Sequence, residues 1–179
     1  MRTLTLLRHA KAMPARVGLD DHARPLAESG LADVPRLARH LIEMGQIPTR
    51  TLCSSALRTR QTWMQLAESW NHVGHFPVLQ TRDDLYLASA ARLLDIIAEV
   101  PDAVENLMVI GHNPGLHQLA LMLAHPSPID PIPLRRLGEG LPTCTAVVLE
   151  IEGRAWAELR EQCAVLTDVV RPRDLPAGD

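Results

Sequence analysis

Arg8 and His9 follow directly on the apolar run Leu4-Thr5-Leu6-Leu7, so a cation and an imidazole stand where a buried strand ends and the chain must turn. In α/β proteins, ligands bind outside the carboxyl ends of such strands. The same plan recurs further along. Arg58 stands just past Thr51-Leu52-Cys53-Ser54-Ser55, and His112-Asn113 just past Leu107-Met108-Val109-Ile110-Gly111. Two arginines and two histidines converging on one crevice would make an anion pocket with a nucleophile in it.

Strand-like and helix-like runs alternate, the pattern of parallel strands joined by crossover helices. The first strand is expected at Thr3 to Leu7. Apolar residues at helical spacing from Leu31 to Ile42 predict a helix with Gly45 as its C-cap, starting late or bent because of Pro35. A strand at Thr51 to Cys53 runs into Ser54-Ser55, good N-cap residues for a helix carrying Leu57, Met64, Leu66 and Trp70. Arg58 then lies in that helix's first turn, where the helix dipole disfavours a cation. Either an anion neutralises it there, or it is a solvated surface arginine.

A third strand is read at Pro77 to Thr81, followed by Asp83-Asp84-Leu85-Tyr86 and a helix from Ala88 to Glu99. In Gly111-His112-Asn113-Pro114-Gly115, Asn113 is a plausible N-cap and Pro114 a first helical residue. Ala124 to Pro142 is rich in proline and reads as a long loop, a lid or a binding rim. Thr143 to Ile151 and Ala164 to Val169 alternate like strands, predicting antiparallel pairing at the edge of the sheet. The expectation is one domain over 1–179, a three-layer α/β/α sandwich with a mostly parallel sheet and an antiparallel edge strand near the C-terminus, the tail from Arg171 fraying.

The 179 residues can bury a sizeable core, and a net charge of -3 supplies no basic field for nucleic acid. No apolar run reaches the roughly 20 residues of a membrane span, and the N-terminus lacks the pattern of a signal peptide, so a cytoplasmic, monomeric protein is expected. Cys53, Cys144 and Cys163 are odd in number and widely spaced, which reads as reduced thiols packed in the core. His22, His40, His72, His75, His117 and His125 show no sustained ligand spacing and are assigned surface or structural roles.

Taken together, Arg8-His9-Ala10, the segment Ser54-Ser55-Ala56-Leu57-Arg58-Thr59-Arg60-Gln61-Thr62, and Gly111-His112-Asn113-Pro114-Gly115 resemble the histidine phosphatase superfamily. Arg24-Pro25-Leu26, the short length and Ala10-Lys11 after the histidine resemble more narrowly its phosphohistidine phosphatase branch, the SixA type. Ala10 stands where the superfamily usually has glycine, a departure in the direction of that branch. The resemblance runs from Thr3 to about Val169. It implies the phosphoglycerate mutase-like fold, no cofactor and no metal, with His9 as nucleophile and Arg8, Arg58 and His112 holding the transferring phosphoryl group.

Asn113 joins the substrate-binding set, with Lys11 and Arg24 as further candidates for substrate contact. The nearest match to the superfamily's proton donor is Asp83, or Asp84, ahead of Tyr86, although a helix cap explains an aspartate there equally well. The physical requirements agree with these roles. Phosphoryl transfer spreads charge over three oxygens, guanidinium groups can each bind two of them, and imidazole is largely neutral yet nucleophilic at pH 7. The expected substrate is a protein phosphohistidine, such as a phosphotransfer carrier. The alternatives are a small phosphoester, a non-catalytic phosphoprotein-binding module, or a metal-dependent hydrolase.

Overall fold

The structure, a computed structural model, describes residues 1–125 and 130–176. The strands are β1 (Arg2–Arg8), β2 (Arg50–Ser54), β3 (Val78–Arg82), β4 (Asn106–Gly111), β5 (Ala124–His125), β6 (Ala146–Ile151) and β7 (Ala164–Val170). The helices are α1 (Glu28–Glu43), α2 (Leu57–Asn71), α3 (Ala90–Ala98), α4 (Gly115–Leu123) and α5 (Ile132–Gly138). Among the described residues the strands form one sheet in the order β3-β2-β4-β1-β6-β7-β5.

Alternation of side chains splits the core into two layers. Leu4, Leu6, Leu107 and Val109 face one side with α3, α4 and Leu137 of α5. Leu7, Met108 and Ile110 face the other with Leu37 and Leu41 of α1 and Leu66 and Trp70 of α2. The chain leaves β1 for one layer and β4 for the other, and these two strands are neighbours. Their connections therefore diverge and open a crevice at the carboxyl ends. The register sets Arg8 abreast of Gly111, which brings the residues that follow, His9 and His112, side by side.

The antiparallel pairing expected near the C-terminus is present, but its position differs. β6 runs antiparallel to both β1 and β7 and lies inside the sheet, with β7 and the short β5 beyond it. α1 begins earlier than its apolar spacing suggests and continues through Pro35, whose exposed position lets water take the carbonyl that its missing N–H leaves unbonded. The helix ends as Gly45 predicts. At φ +66° this residue donates to Ile42 while Gln46 donates to Leu41, a Schellman closure.

The segment 124–142 is not an open loop, since it carries β5 and α5; residues 126–129 of that stretch lie outside the described residues. Pro131 caps α5, Pro133 is buried within it and Leu137 enters the core, so prolines that read as breakers start this helix. Nor is the C-terminal segment loose as far as Pro176. Arg36 donates to the carbonyls of Pro172, Leu175 and Pro176, and buried Arg171 pairs with Glu139 and Asp174 at 2.6 Å each. Residues 177–179 of the expected tail lie outside the description.

One glycine fixes the approach of α4 to the segment before α3. A Cβ on Gly115 would stand 1.9 Å from the carbonyl oxygen of Ala88. Gly115→Ala is therefore expected to destabilise the protein by about 2 kcal/mol or more through backbone displacement. Gly138→Ala, with nothing within 4 Å of the added carbon, is expected to be neutral or slightly stabilising. Urea midpoints at unchanged slope measure both.

Candidate active site

The first four groups come from three strand ends. β1 delivers Arg8 and His9, β4 delivers His112, and the turn after β2 delivers Arg58 as the second residue of α2. His9, Arg58 and His112 are 7%, 2% and 3% exposed. Arg58 is thus not a solvated surface residue. Behind it, Thr59 donates to the carbonyls of Ser54 and Ala56, and Thr62 donates to the Arg58 carbonyl. The Thr62 hydroxyl in turn accepts the Ala10 N–H at 3.0 Å, joining the helix to the turn after β1.

Two contacts fix the tautomer of His9. Its Nδ1 lies 2.7 Å from the Ala10 carbonyl, which can only accept, and its Nε2 lies 3.3 Å from Nε of Arg58, which can only donate. The proton is therefore on Nδ1, and Nε2 presents a lone pair. Burial lowers the His9 pKa to about 4, with the charges of Arg58, Arg8 and Arg24 acting in the same direction and the Ala10 carbonyl opposing them. His112 is lowered to about 3, first by burial and then by His9 and Arg58. Its Nδ1 faces Nη2 of Arg58 at 3.4 Å, and its Nε2 meets the Ser54 hydroxyl at 2.8 Å. The two imidazoles, 5.3 Å apart between centroids, are both neutral at pH 7.

Arg8 and Asn113 converge on one acceptor. Nη1 of Arg8 and Nδ2 of Asn113 each donate to the Leu141 carbonyl at 2.8 Å. Nε of Arg8 and Oδ1 of Asn113 are buried with no hydrogen-bond partner among the described residues. Asn113 is not a helix cap, because Pro114 occupies that position. Ser54 and Ser55 likewise do not close α2 with their side chains, whose N-cap is Ala56. Their hydroxyls meet His112 and His22, the latter at 2.9 Å.

The acidic group at this site is one the sequence had left unassigned. Asp21, in a 3-10 turn Asp21–Ala23 between β1 and α1, accepts from the Tyr86 hydroxyl at 2.6 Å and from Nη2 of Arg58 at 3.0 Å, and pairs with Nε of Arg24 at 2.9 Å. These contacts, that of Tyr86 foremost, lower its pKa to about 2. Tyr86 in turn stands edge-on to His22 and His112 at 4.9 and 5.4 Å. His22 thus borders the site. An aspartate in a polar loop carries no periodic signal, which is why spacing alone could not select it.

The acid candidates lie differently from expectation. Asp84 is held between Arg82 and Arg92, both at 2.7 Å, which lowers its pKa to about 2. Asp83 is exposed, and its carboxylate makes no hydrogen bond or ion pair among the described residues. Arg24 reaches the site through Asp21 and also donates to the Met13 carbonyl. Lys11 has an exposed side chain, and its carbonyl accepts the Ala27 N–H. Cys53 and Cys144 are buried with raised pKa values, that of Cys53 to about 12, while Cys163 is half-buried. No group of three or more His, Cys, Asp or Glu is placed to hold a metal, and no helix is long and apolar enough to cross a membrane, among the described residues.

No family profile matches the chain. A Mycobacterium tuberculosis protein, Rv1276c, is 35% identical over 168 residues, spanning 93% of this chain and all of its own length. A chloroplast protein of Arabidopsis thaliana, At3g52155, is 32% identical over 164 residues, 88% of this chain and 70% of that one. Neither name carries an activity. A solved structure from Nakamurella multipartitia, named as a phosphohistidine phosphatase SixA, superposes with a TM-score of 0.78 at 31% identity, covering 96% of each chain. The protein histidine phosphatase SixA complexed with tungstate has the same fold, with a TM-score of 0.70 at 18% identity over 96% of this chain and 98% of its own. The fold, the order of the strand-end motifs and these matches place the chain in the histidine phosphatase superfamily, in its SixA branch.

Proposed function

We propose that the protein hydrolyses a phosphohistidine carried by another protein, through a phosphoenzyme formed on His9. Membership of the superfamily makes it a phosphatase-type hydrolase. The observation that carries the finer reading is the imidazole of His9, buried, neutral and fixed as the Nδ1–H tautomer with Nε2 directed at the Arg58 guanidinium. Its lone pair attacks phosphorus while the bond to the substrate nitrogen breaks, and the substrate imidazole leaves neutral when its distal nitrogen carries a proton. The positive charge that develops on the His9 ring is met at Nδ1–H by the Ala10 carbonyl. Water then attacks phosphorus, phosphate takes up the proton, and His9 regains its lone pair.

Arg58 and Arg8 supply the permanent positive charge for the phosphoryl oxygens. The buried, unpaired Nε of half-buried Arg8 supports an oxyanion partner, since a buried donor without one is costly. A P–N bond suits an active site in which no carboxylic acid is poised to donate among the described residues. Asp21 and Asp84 are ionised, and a leaving imidazole with a pKa of about 6.5 needs less assistance than an alkoxide.

Reaction with a labelled phosphohistidine protein or phosphoramidate, quenched in alkaline detergent, is expected to trap a phosphoenzyme that is lost on later acidification and is absent in His9→Ala. Phosphate-dependent binding without turnover would instead favour the binding module. Arg58→Ala should lower kcat/KM by about 10²-fold or more. Asp83→Asn should leave P–N hydrolysis largely intact, and activity should persist in EDTA. A large preference for phosphomonoesters that requires Asp83 would overturn the phosphohistidine assignment in favour of the small-molecule reading.

The lowered histidine pKa values also set a stability window. His9 and His112 titrate near 4 and 3 in the folded protein, against about 6.5 when unfolded, so the unfolded chain takes up protons first on acidification. This stabilisation is present above pH 6.5 and is lost as the pH falls towards 4. Thermal unfolding between pH 7 and 5 should show a steeper fall in Tm for the parent than for His9→Gln, by roughly 2–4 °C per kcal/mol lost.

A further inference from the structure

The Arg58 guanidinium is already committed before any substrate arrives. Its Nε donates to His9, its Nη1 to the backbone carbonyl of Asp21 at 2.6 Å, and its Nη2 to the Asp21 carboxylate at 3.0 Å and to His112. The face that two phosphoryl oxygens would share in a bidentate contact is thus occupied by two oxygens of a single residue. One of these is a carboxylate, itself an anion.

We infer that Asp21 is an internal competitor for the anion seat: its carboxylate and carbonyl oxygens stand in for phosphoryl oxygens on Arg58, and substrate binds by displacing the turn that carries them. This deepens the proposed function and rests on the reading of Arg58 as an anion-binding group. A carboxylate that stayed in hydrogen-bond contact with the same guanidinium would repel a phosphoryl group of the same sign across a weakly screened site. Both cannot hold the seat together.

The anchoring of the two partners differs in the way displacement requires. Arg58 is 2% exposed and sits in a helix whose Thr59, Thr62, Trp63 and Leu66 are buried. Asp21 is 46% exposed in its side chain, and its turn buries no residue at all. The turn is held by polar contacts: the Tyr86 hydroxyl, Arg24, and the His22 ring on Ser55. Arg24 can keep the carboxylate after it leaves Arg58, because Asp21 and Arg24 lie three residues apart on the same segment. The competitor therefore needs no new partner once displaced. A doubly charged tetrahedral oxyanion outcompetes it, whereas singly charged carboxylates gain little over the aspartate already in place.

Calorimetric titration with tungstate tests this on the parent, Asp21→Asn, Asp21→Ala and Arg58→Ala. The expected result is binding about tenfold tighter in Asp21→Asn, with Asp21→Ala shifted in the same direction. KM for a phosphoramidate should fall with the tungstate Kd, by more than kcat changes. A role in merely bracing Arg58 would give weaker binding and a lower kcat in both Asp21 variants, and that result overturns the inference, as does unchanged affinity in Asp21→Asn. The two readings fail separately. Tungstate binding that depends on Arg58 but is not tightened in Asp21→Asn removes only the competitor. Absence of binding in both the parent and Asp21→Asn removes the anion pocket and the competitor with it.

Discussion

The structure is organised around a buried guanidinium. Taking Arg58 out of water is unfavourable unless its N–H groups find acceptors, and for its five the fold provides four: His9, His112, and the carbonyl and carboxylate oxygens of Asp21. These contacts also define the electrostatics of the crevice. Burial, together with the fixed cation, keeps both imidazoles neutral, and the same cation draws in the carboxylate of Asp21. The tautomer of His9 follows from Arg58 and the Ala10 carbonyl together, and the ionisation of Asp21 from the Tyr86 hydroxyl first and then from Arg58.

Much of this was legible in the sequence because strand ends are legible. Arg8-His9, Arg58 and Gly111-His112 follow short runs whose apolar character marks them as buried, and the parallel register of β1 and β4 places two of those ends side by side. What spacing could not supply was the partner of each polar group. Ser54 and Ser55 have good capping side chains, yet their hydroxyls meet His112 and His22, partners brought to them from other parts of the chain. Asp21 arrives from an aperiodic turn, 37 residues before Arg58 in sequence.

The other departures share one physical origin, tertiary packing overriding local preference. Pro35 remains inside α1 because its face is exposed, and Pro133 is accepted near the start of α5, where a missing N–H costs little. The C-terminal segment is polar and proline-rich, but Arg36 captures its carbonyls and Arg171 its charges. The antiparallel strand was visible as an alternating segment. Its place inside the sheet was not, because alternation reports which faces are buried and not which strands are neighbours.

The hold of Leu141 on Arg8 has a consequence for how the protein comes into being. That hydrogen bond joins residues 133 positions apart, and Asn113 shares its acceptor. During synthesis β1 emerges well before Leu141, so this hydrogen bond of its arginine must wait until the segment after α5 has left the ribosome. A nascent chain can thus pair β1 with β2 and β4 through their shared sheet while the Arg8 side chain is still unheld, and that hold arrives late, just before the β6 strand that pairs alongside β1.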